Sequence, residues 1–98
     1  MFFLLRYDIL PGKMRDHDEF VRTKMLPFWT SQPDCKAVEI FEDVLVGYPE
    51  RTVMIEVDDL TALQHILSSP DYRSIRDGLQ DYITDAQSQI LNLWVKKP

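Results

Sequence analysis

The sequence predicts a two-layer α+β domain in which helices cover one side of a four-stranded antiparallel sheet. Three observations support this prediction. Four short segments carry apolar residues at every second position, which is typical of strands with one buried face. Two longer segments carry apolar residues at helical spacing. The order of these segments along the chain is β-α-β-β-α-β.

The four strands are predicted at about residues 2–9, 35–42, 51–58 and 88–96. In each strand, alternate positions belong to opposite faces of the sheet, and we call each set of alternate positions a parity. One parity is apolar almost throughout and comprises Phe3, Leu5, Tyr7, Ile9, Val38, Ile40, Val53, Ile55, Val57, Leu91, Leu93 and Val95. The other parity is mixed and comprises Phe2, Leu4, Arg6, Asp8, Ala37, Glu39, Phe41, Thr52, Met54, Glu56, Ile90, Asn92 and Trp94. This second face is too apolar for water and too charged for an ordinary core, which indicates cover by another subunit.

The first helix is predicted from about Met14 to Thr30, after the turn signal Pro11-Gly12. Its apolar side comprises Phe20, Val21, Met25 and Phe28. Pro27 has no backbone N–H, so the helix is expected to bend or end near it. His17, in the first helical turn, is expected at the surface.

The second helical region has two start signals. Asp59 is the expected N-cap of a first segment with the stripe Leu60, Leu63, Ile66 and Leu67. Ser69-Pro70-Asp71 begins a second segment, with serine at the N-cap, proline at N1 and an acid in the first turn. The apolar stripe of that segment comprises Tyr72, Ile75, Leu79 and either Tyr82 or Ile83.

Strands two and three are predicted to form a hairpin in which Ile40 lies opposite Val53 and Glu39 lies opposite Met54. Their connection, residues 43–50, is unusually apolar and is expected to be an arm that packs on a partner. The whole order corresponds to the split-βαβ, ferredoxin-like arrangement. The expected sheet order is 4-1-3-2, with both helical regions on one face.

Length and composition restrict the function. Ninety-eight residues form one domain, residues 1–98. The net charge of −5 and the lack of a basic cluster argue against nucleic acid and against an anionic membrane surface. No segment approaches the ~20 apolar residues that span a bilayer. The single Cys35 excludes an intrachain disulfide and is expected to be a partly buried residue in a cytoplasmic protein.

The uncovered face of the sheet predicts a homodimer. Two helical regions cover one side of a four-stranded sheet, which leaves roughly 350 Å² bare on the other. An apolar patch of that order is comparable to the largest patches on ordinary monomers, which are often functional. Sheet-to-sheet association of two copies would bury it.

The chain also resembles the dimeric α+β barrel superfamily, and most of all its branch of small proteins that are similar to antibiotic biosynthesis monooxygenases. The resemblance rests on Arg6-Tyr7, Pro11-Gly12-Lys13, Glu19-Phe20, Leu26-Pro27, Asp59-Leu60, Ala62-Leu63-Gln64-His65 and Ser68-Ser69-Pro70. It implies a homodimer whose two sheets enclose a cavity. In that superfamily such cavities serve cofactor-independent oxygenation of aromatic or quinol-like compounds, haem breakdown or lactone isomerisation, or have no known role.

Four polar residues of the second face, Arg6, Glu39, Glu56 and Asn92, are candidates for a site in this cavity. In one interpretation Glu39 or Glu56 is a general base, and Arg6 or Asn92 stabilises a developing anion. In the other, Arg6 and Glu56 form an ion pair that only holds the dimer in register.

His65 matches, within the resemblance, a histidine that is common on the second helix of monooxygenase-like members. It is therefore a third candidate for the catalytic base, and the alternative is a solvent-exposed histidine. Two distant histidines do not make a metal site, and no strand supplies an axial histidine for haem. We therefore expect no metal and no cofactor.

Phe41, Met54 and Trp94, together with Phe2, are candidates for the walls of a pocket for a flat ligand. The alternative is that they only pack in a dimer interface.

Two functions remain open. The first is a homodimeric protein that binds a small hydrophobic molecule without an assured reaction. The second is a cofactor-independent monooxygenase, or a related isomerase, that acts on a hydrophobic aromatic compound. The sequence alone does not decide whether the protein is an enzyme.

Overall fold

Four antiparallel strands form one sheet in the order β2-β3-β1-β4 in a computed structural model that describes residues 1–98. The strands are β1 (Phe2–Ile9), β2 (Cys35–Glu42), β3 (Arg51–Val57) and β4 (Ile83–Leu91). This order is the predicted 4-1-3-2. The hairpin register is also confirmed, because Ile40 pairs with Val53 and Glu39 with Met54.

The helices lie on one side of the sheet. The first helical region comprises α1 (Met14–Phe20), a π-helical turn (Val21–Met25) and α2 (Leu26–Thr30), and the second comprises α3 (Leu60–Leu67) and α4 (Pro70–Leu79). The π-helical turn comes directly before the segment that contains Pro27, where the missing N–H disturbs regular α-helical bonding. None of these helices is long and apolar enough to cross a membrane.

Both predicted N-caps are present. The Asp59 carboxylate accepts a hydrogen bond of 2.8 Å from the Ala62 amide, and the Ser69 hydroxyl accepts one of 3.1 Å from the Tyr72 amide. Each side chain satisfies an amide that has no partner within its helix. Together they separate the second helical region into α3 and α4.

The hydrophobic core lies between the helices and the facing side of the sheet. It consists of Phe3, Tyr7, Ile9, Val21, Met25, Trp29, Val53, Ile55, Val57, Leu63, Ile66, Leu79 and Ile83. The core residues that belong to β1 and β3 all come from the parity that was predicted to be apolar. We call the opposite side of the sheet the outer face.

The prediction for the fourth strand was wrong in its bounds and in its parity. The strand begins at Ile83, one of the two alternatives for the end of the predicted helical stripe, and it ends at Leu91. Ile90 pairs with Phe3 and therefore lies on the helix side, whereas Leu91 pairs with Phe2 on the outer face. Residues 92–98 follow the strand without regular structure; we call them the tail.

A β-bulge interrupts the alternation in the first half of β4. Thr84 pairs with Asp8 and Gln87 pairs with Arg6, so two residues of β4 face the single residue Tyr7. Asp85 is the extra residue of the bulge. Its φ of 55° is a left-handed conformation that Asp tolerates better than most residues. Simple alternation therefore does not hold along β4.

The outer face carries no second layer within the chain. The protein is only 19 Å thick, which corresponds to one sheet and one layer of helices. Phe41 on this face is 48 % exposed, and Trp94 in the tail is 94 % exposed. The connection Asp43–Glu50, which we call the arm, also exposes Val44 and Leu45. Exposed apolar groups are thus present on the outer face, in the arm and in the tail.

Candidate functional site

A cavity of about 170 Å³ lies between α4 and the half of the sheet formed by β1 and β4. Its roof is one face of α4, and its remaining apolar walls come from the first helical region and from β1 and β3. The roof comprises Tyr72, Ile75, Arg76, Leu79 and Gln80. The other apolar walls comprise Phe3, Leu5, Met25, Trp29, Val53 and Ile55. The cavity lies within a single chain, on the helix side of the sheet.

The cavity exists because β4 presents small residues at this place. Ala86 and Ser88 lie on the helix side, where β1 carries Phe3 and Leu5. Ser88 pairs directly with Leu5. Since protein interiors are normally packed without large voids, small side chains under α4 leave the space unfilled.

Three aromatic rings form one wall of the cavity. The ring centroids of Phe3 and Trp29 are 6.1 Å apart, and those of Trp29 and Tyr72 are 5.9 Å apart. The Trp29 and Tyr72 rings meet edge to face, at 68°. Edge-to-face and tilted arrangements of this kind are favourable between aromatic groups, and a further ring could join them.

The titratable side chains that line the cavity are Tyr72 and Arg76. Burial raises the pKa of the Tyr72 phenol, and the nearby Arg76 guanidinium lowers it in part. Tyr72 therefore stays protonated and neutral around pH 7. The cavity contains no carboxylate, histidine or thiol that could act as a general base.

The predicted site residues lie outside this cavity. Arg6, Glu39, Phe41, Met54 and Glu56 share the outer face, as their strand parity predicts. These residues do not form one cluster on that face. Glu39 lies beside Met54 of β3, whereas Arg6 lies beside Thr52, two positions away along the same strand.

Within one chain, Arg6 and Glu56 do not form an ion pair. Glu56 pairs with Phe2 and Arg6 with Thr52, so the two residues are separated by four positions, or roughly 13 Å, along the strands. The Arg6 guanidinium instead donates a hydrogen bond of 2.7 Å to the Gln89 side chain. The strand register is the physical reason for this correction.

The other three candidates lie elsewhere. His65 is exposed on α3, in the helical layer and thus on the other side of the sheet from Glu39 and Glu56. Asn92 and Trp94 lie in the tail, beyond the end of β4, and not on a strand. Within one chain, the structure does not bring His65 together with the two glutamates.

A buried polar cluster surrounds His17 and was not predicted from the sequence. The expectation of a surface histidine was wrong, since His17 is 1 % exposed. Its Nε2 atom lies 2.7 Å from the Tyr7 hydroxyl oxygen, and its Nδ1 atom lies 2.8 Å from an Asp18 carboxylate oxygen. The spacing of His17 from Phe20 and Val21, by three and four residues, was the available signal for a buried position.

The His17 cluster has a structural role. Neither His17 nor Tyr7 lines the cavity, and Tyr7 is fully buried. The Arg51 guanidinium lies 3.9 Å from the same Asp18 oxygen, which extends the cluster to β3. The cluster therefore connects two strands and the first helix.

A second, more open concavity is lined by acidic residues at the end of the sheet. Two of its carboxylates are already engaged with the backbone. Asp8 accepts a hydrogen bond of 3.0 Å from the Glu50 amide, and Glu50 accepts one of 3.0 Å from the Ile9 amide. These bonds attach the end of the arm to β1.

Comparison with solved structures finds the same architecture in several proteins. SnoaB, a cofactor-independent oxygenase from Streptomyces nogalater, superposes with a TM-score of 0.79 at 14% identity, over 99% of this chain and 95% of that chain. The chain has the ferredoxin-like α+β fold. A ferredoxin-like protein from Thermobifida fusca that is described as dimeric gives a TM-score of 0.74 at 16% identity, over 90% and 85% of the two chains.

An Arabidopsis thaliana protein with the same ferredoxin-like fold gives a TM-score of 0.82 at 10% identity, over 98% of each chain. No protein-family model matches the sequence, and no curated protein matches it. The similarity therefore establishes the fold, and it confirms at that level the resemblance to dimeric α+β barrel proteins.

Proposed function

We propose that the protein is a homodimer that binds a small hydrophobic molecule in the cavity beneath α4 of each subunit. The observation that carries this proposal is the cavity itself, an apolar space of about 170 Å³ with an aromatic wall. An engineered apolar cavity of about 150 Å³ is large enough to bind benzene. The present cavity has comparable room and opens to solvent beside α4.

The proposed dimer forms through the outer face. Phe41 and Leu91 are exposed there, and the apolar arm and tail extend the same surface. A standard interface buries ~800 Å² per partner, which this face, the arm and the tail could supply together. A similar solved structure is described as a dimeric ferredoxin-like protein. In this arrangement Arg6, Met54 and Glu56 belong to the interface.

Light scattering tests the dimer. We expect a mass of about twice 11.6 kDa at micromolar concentration. Phe41→Glu places a charge in the proposed interface and should give the monomer mass, whereas Thr61→Glu, an exposed change on α3, should leave the dimer intact. A monomeric wild-type protein would contradict this part of the proposal.

Calorimetry tests ligand binding with 2-naphthylmethanol, a neutral aromatic probe. We expect saturable binding with one site per chain. Ser88→Leu fills the cavity from β4 and should abolish it, while Thr84→Leu, which is exposed on the same strand and outside this cavity, should not. Binding that survives Ser88→Leu would exclude the cavity as the site.

The second candidate function is cofactor-independent oxygenation of an aromatic or quinol-like compound. Two observations favour it: the aromatic wall and the similarity to SnoaB, which is described as a cofactor-independent oxygenase. Glu39, Glu56 and His65 remain the proposed bases, but each would have to act from outside the cavity. Oxygen consumption with quinol substrates tests this function. A rate that is unchanged in Glu39→Gln, Glu56→Gln and His65→Gln would remove these three residues from it.

A further inference from the structure

The face of α4 above the cavity carries one permanent charge. Residues 72, 75, 76, 79 and 80 recur at the spacing of a single helical face, and all five line the cavity. Four of them are neutral, and the fifth is Arg76. Its side chain is 52 % exposed, so it lies at the mouth of the cavity and not in its interior.

Acidic residues are absent from the lining. The chain contains 16 Asp and Glu residues and has a net charge of −5, yet none of the 15 residues around the cavity is acidic. The remaining polar side chains on the helix side, Gln80 and Ser88, carry groups that can donate hydrogen bonds. The one charged side chain of the cavity lining is thus a cation, although the chain as a whole is acidic.

The Arg76 guanidinium has only a weak partner in the chain. Two of its nitrogen atoms lie 3.4 Å from a single oxygen of Asp77, beyond the usual hydrogen-bond distance. Asp77 is the next residue along the chain and is itself exposed. An exposed pair of this kind contributes little, so Arg76 remains available to another anion.

The size of the cavity limits what that anion can be attached to. A volume of about 170 Å³ accommodates one aromatic ring or a compact bicycle. A larger polycycle would have to extend through the mouth. The aromatic wall of Phe3, Trp29 and Tyr72 favours a flat, unsaturated group over a branched aliphatic one.

We infer that the ligand of this cavity is a compact aromatic monoanion, with one ring or two fused rings and a single carboxylate or phenolate group that pairs with Arg76 at the mouth. This inference rests on the proposed function, because it names the class of molecule that the cavity binds. The ring lies against the aromatic wall, and the anion remains near solvent. Arg76 thus acts as the residue that selects for charge.

Calorimetric titration of the full chain with three probes of similar size tests the inference: 2-naphthoate, 2-naphthylmethanol and 2-naphthylmethylammonium. We expect 2-naphthoate to bind at least tenfold more tightly than the alcohol, and the ammonium ion more weakly than both. The preference for the acid should decrease as sodium chloride is added, because a partly exposed ion pair is screened by salt.

Substitutions in α4 test whether Arg76 is the residue that pairs with the anion. Arg76→Gln should reduce the affinity for 2-naphthoate about tenfold and leave the affinity for the alcohol within twofold. Arg76→Lys should keep part of the preference. Asp77→Asn removes the competing carboxylate and should increase the affinity for 2-naphthoate. Arg73→Gln, an exposed change on the same helix outside the cavity, is the matched control and should change neither affinity.

The outcomes separate the two proposals. Equal affinities for the acid and the alcohol would overturn the charge selection and leave the hydrophobic ligand site standing. A preference for the acid that is unaffected by Arg76→Gln would overturn the role of Arg76. Failure of all three probes to bind would contradict the ligand site itself, and with it this inference.

Discussion

The Tyr7 hydroxyl and the His17 imidazole form a hydrogen bond of 2.7 Å in which both partners are removed from water. It joins the centre of β1 to the first turn of α1. Burial raises the pKa of Tyr7 strongly, so the phenol stays neutral. A buried polar group that loses its hydrogen-bond partner is still removed from water, so its desolvation penalty is no longer offset. Loss of either partner should therefore lower the stability of the fold.

Tyr7→Phe should therefore lower the free energy of unfolding by about 1–3 kcal/mol, because His17 Nε2 is left buried without a partner. Urea denaturation measures the change. Tyr82→Phe removes the same atom from a phenol that makes no hydrogen bond in the structure, and it should cost less than about 0.5 kcal/mol. Equal losses in the two variants would contradict the importance of the pair.

Asp59→Ala should destabilise the protein by about 1 kcal/mol, since it removes the N-cap of α3 and leaves the Ala62 amide unsatisfied. The neighbouring Asp58→Ala removes only an exposed ion pair of 3.5 Å with Lys36. That control should change stability by less than about 0.5 kcal/mol. If Asp58→Ala proved the more damaging change in thermal unfolding, the assignment of the cap would be wrong.

Gly78→Leu should destabilise the protein by about 1–3 kcal/mol, because a side chain at this position of α4 would collide with the Phe20 ring of α1. A Cβ atom at residue 78 would lie 2.8 Å from the Phe20 ring. The ring cannot move freely, since it packs against Tyr82 with centroids 5.6 Å apart. Ser74→Leu, an exposed change one turn earlier, should be nearly neutral. A stable Gly78→Leu variant would show that α4 can shift away from Phe20.

The Cys35 thiol should react slowly with a disulfide reagent at pH 8. Burial raises its pKa above the ordinary value, so at a given pH less of the reactive thiolate is present in the folded protein than in the unfolded one. The rate should rise with pH, with a midpoint above that of the protein in urea. A lower rate with an unchanged midpoint would indicate restricted access instead of a raised pKa.

Most of the fold could be predicted because alternation, caps and turns agreed with one another. The register of Glu39 against Met54 followed from the position of the hairpin connection and agreed with strand parity, and Asp59 and Ser69 were recognised as caps from residue type and position. The fourth strand failed because its bulge interrupts the alternation and because the apolar tail imitates a strand. An alternating apolar segment indicates that other residues cover its apolar side chains. In the tail, no part of the same chain covers them.

Less of the candidate site could be predicted. The sequence analysis placed the ligand on the outer face, where polar and apolar residues mix, whereas the cavity lies on the helix side. Its signals were subtle: Ala86 and Ser88 where a strand would normally present larger side chains, and Arg76 within an otherwise apolar helical stripe. Empty space is a property of packing in three dimensions, so periodicity along a strand does not reveal it.

Asp85, with its left-handed backbone conformation, affects the direction of the side chains along β4 as well as the shape of that strand. Because it adds one residue to the strand, Ile83 and Ile90 both point toward the helices although seven positions separate them. Without Asp85, Ile83 and Ile90 would be six positions apart, and regular alternation would still direct both toward the helices. Deletion of this exposed residue should therefore leave both isoleucines beneath the helices, whereas regular pairing with Asp85 retained would turn one of them to the outer face.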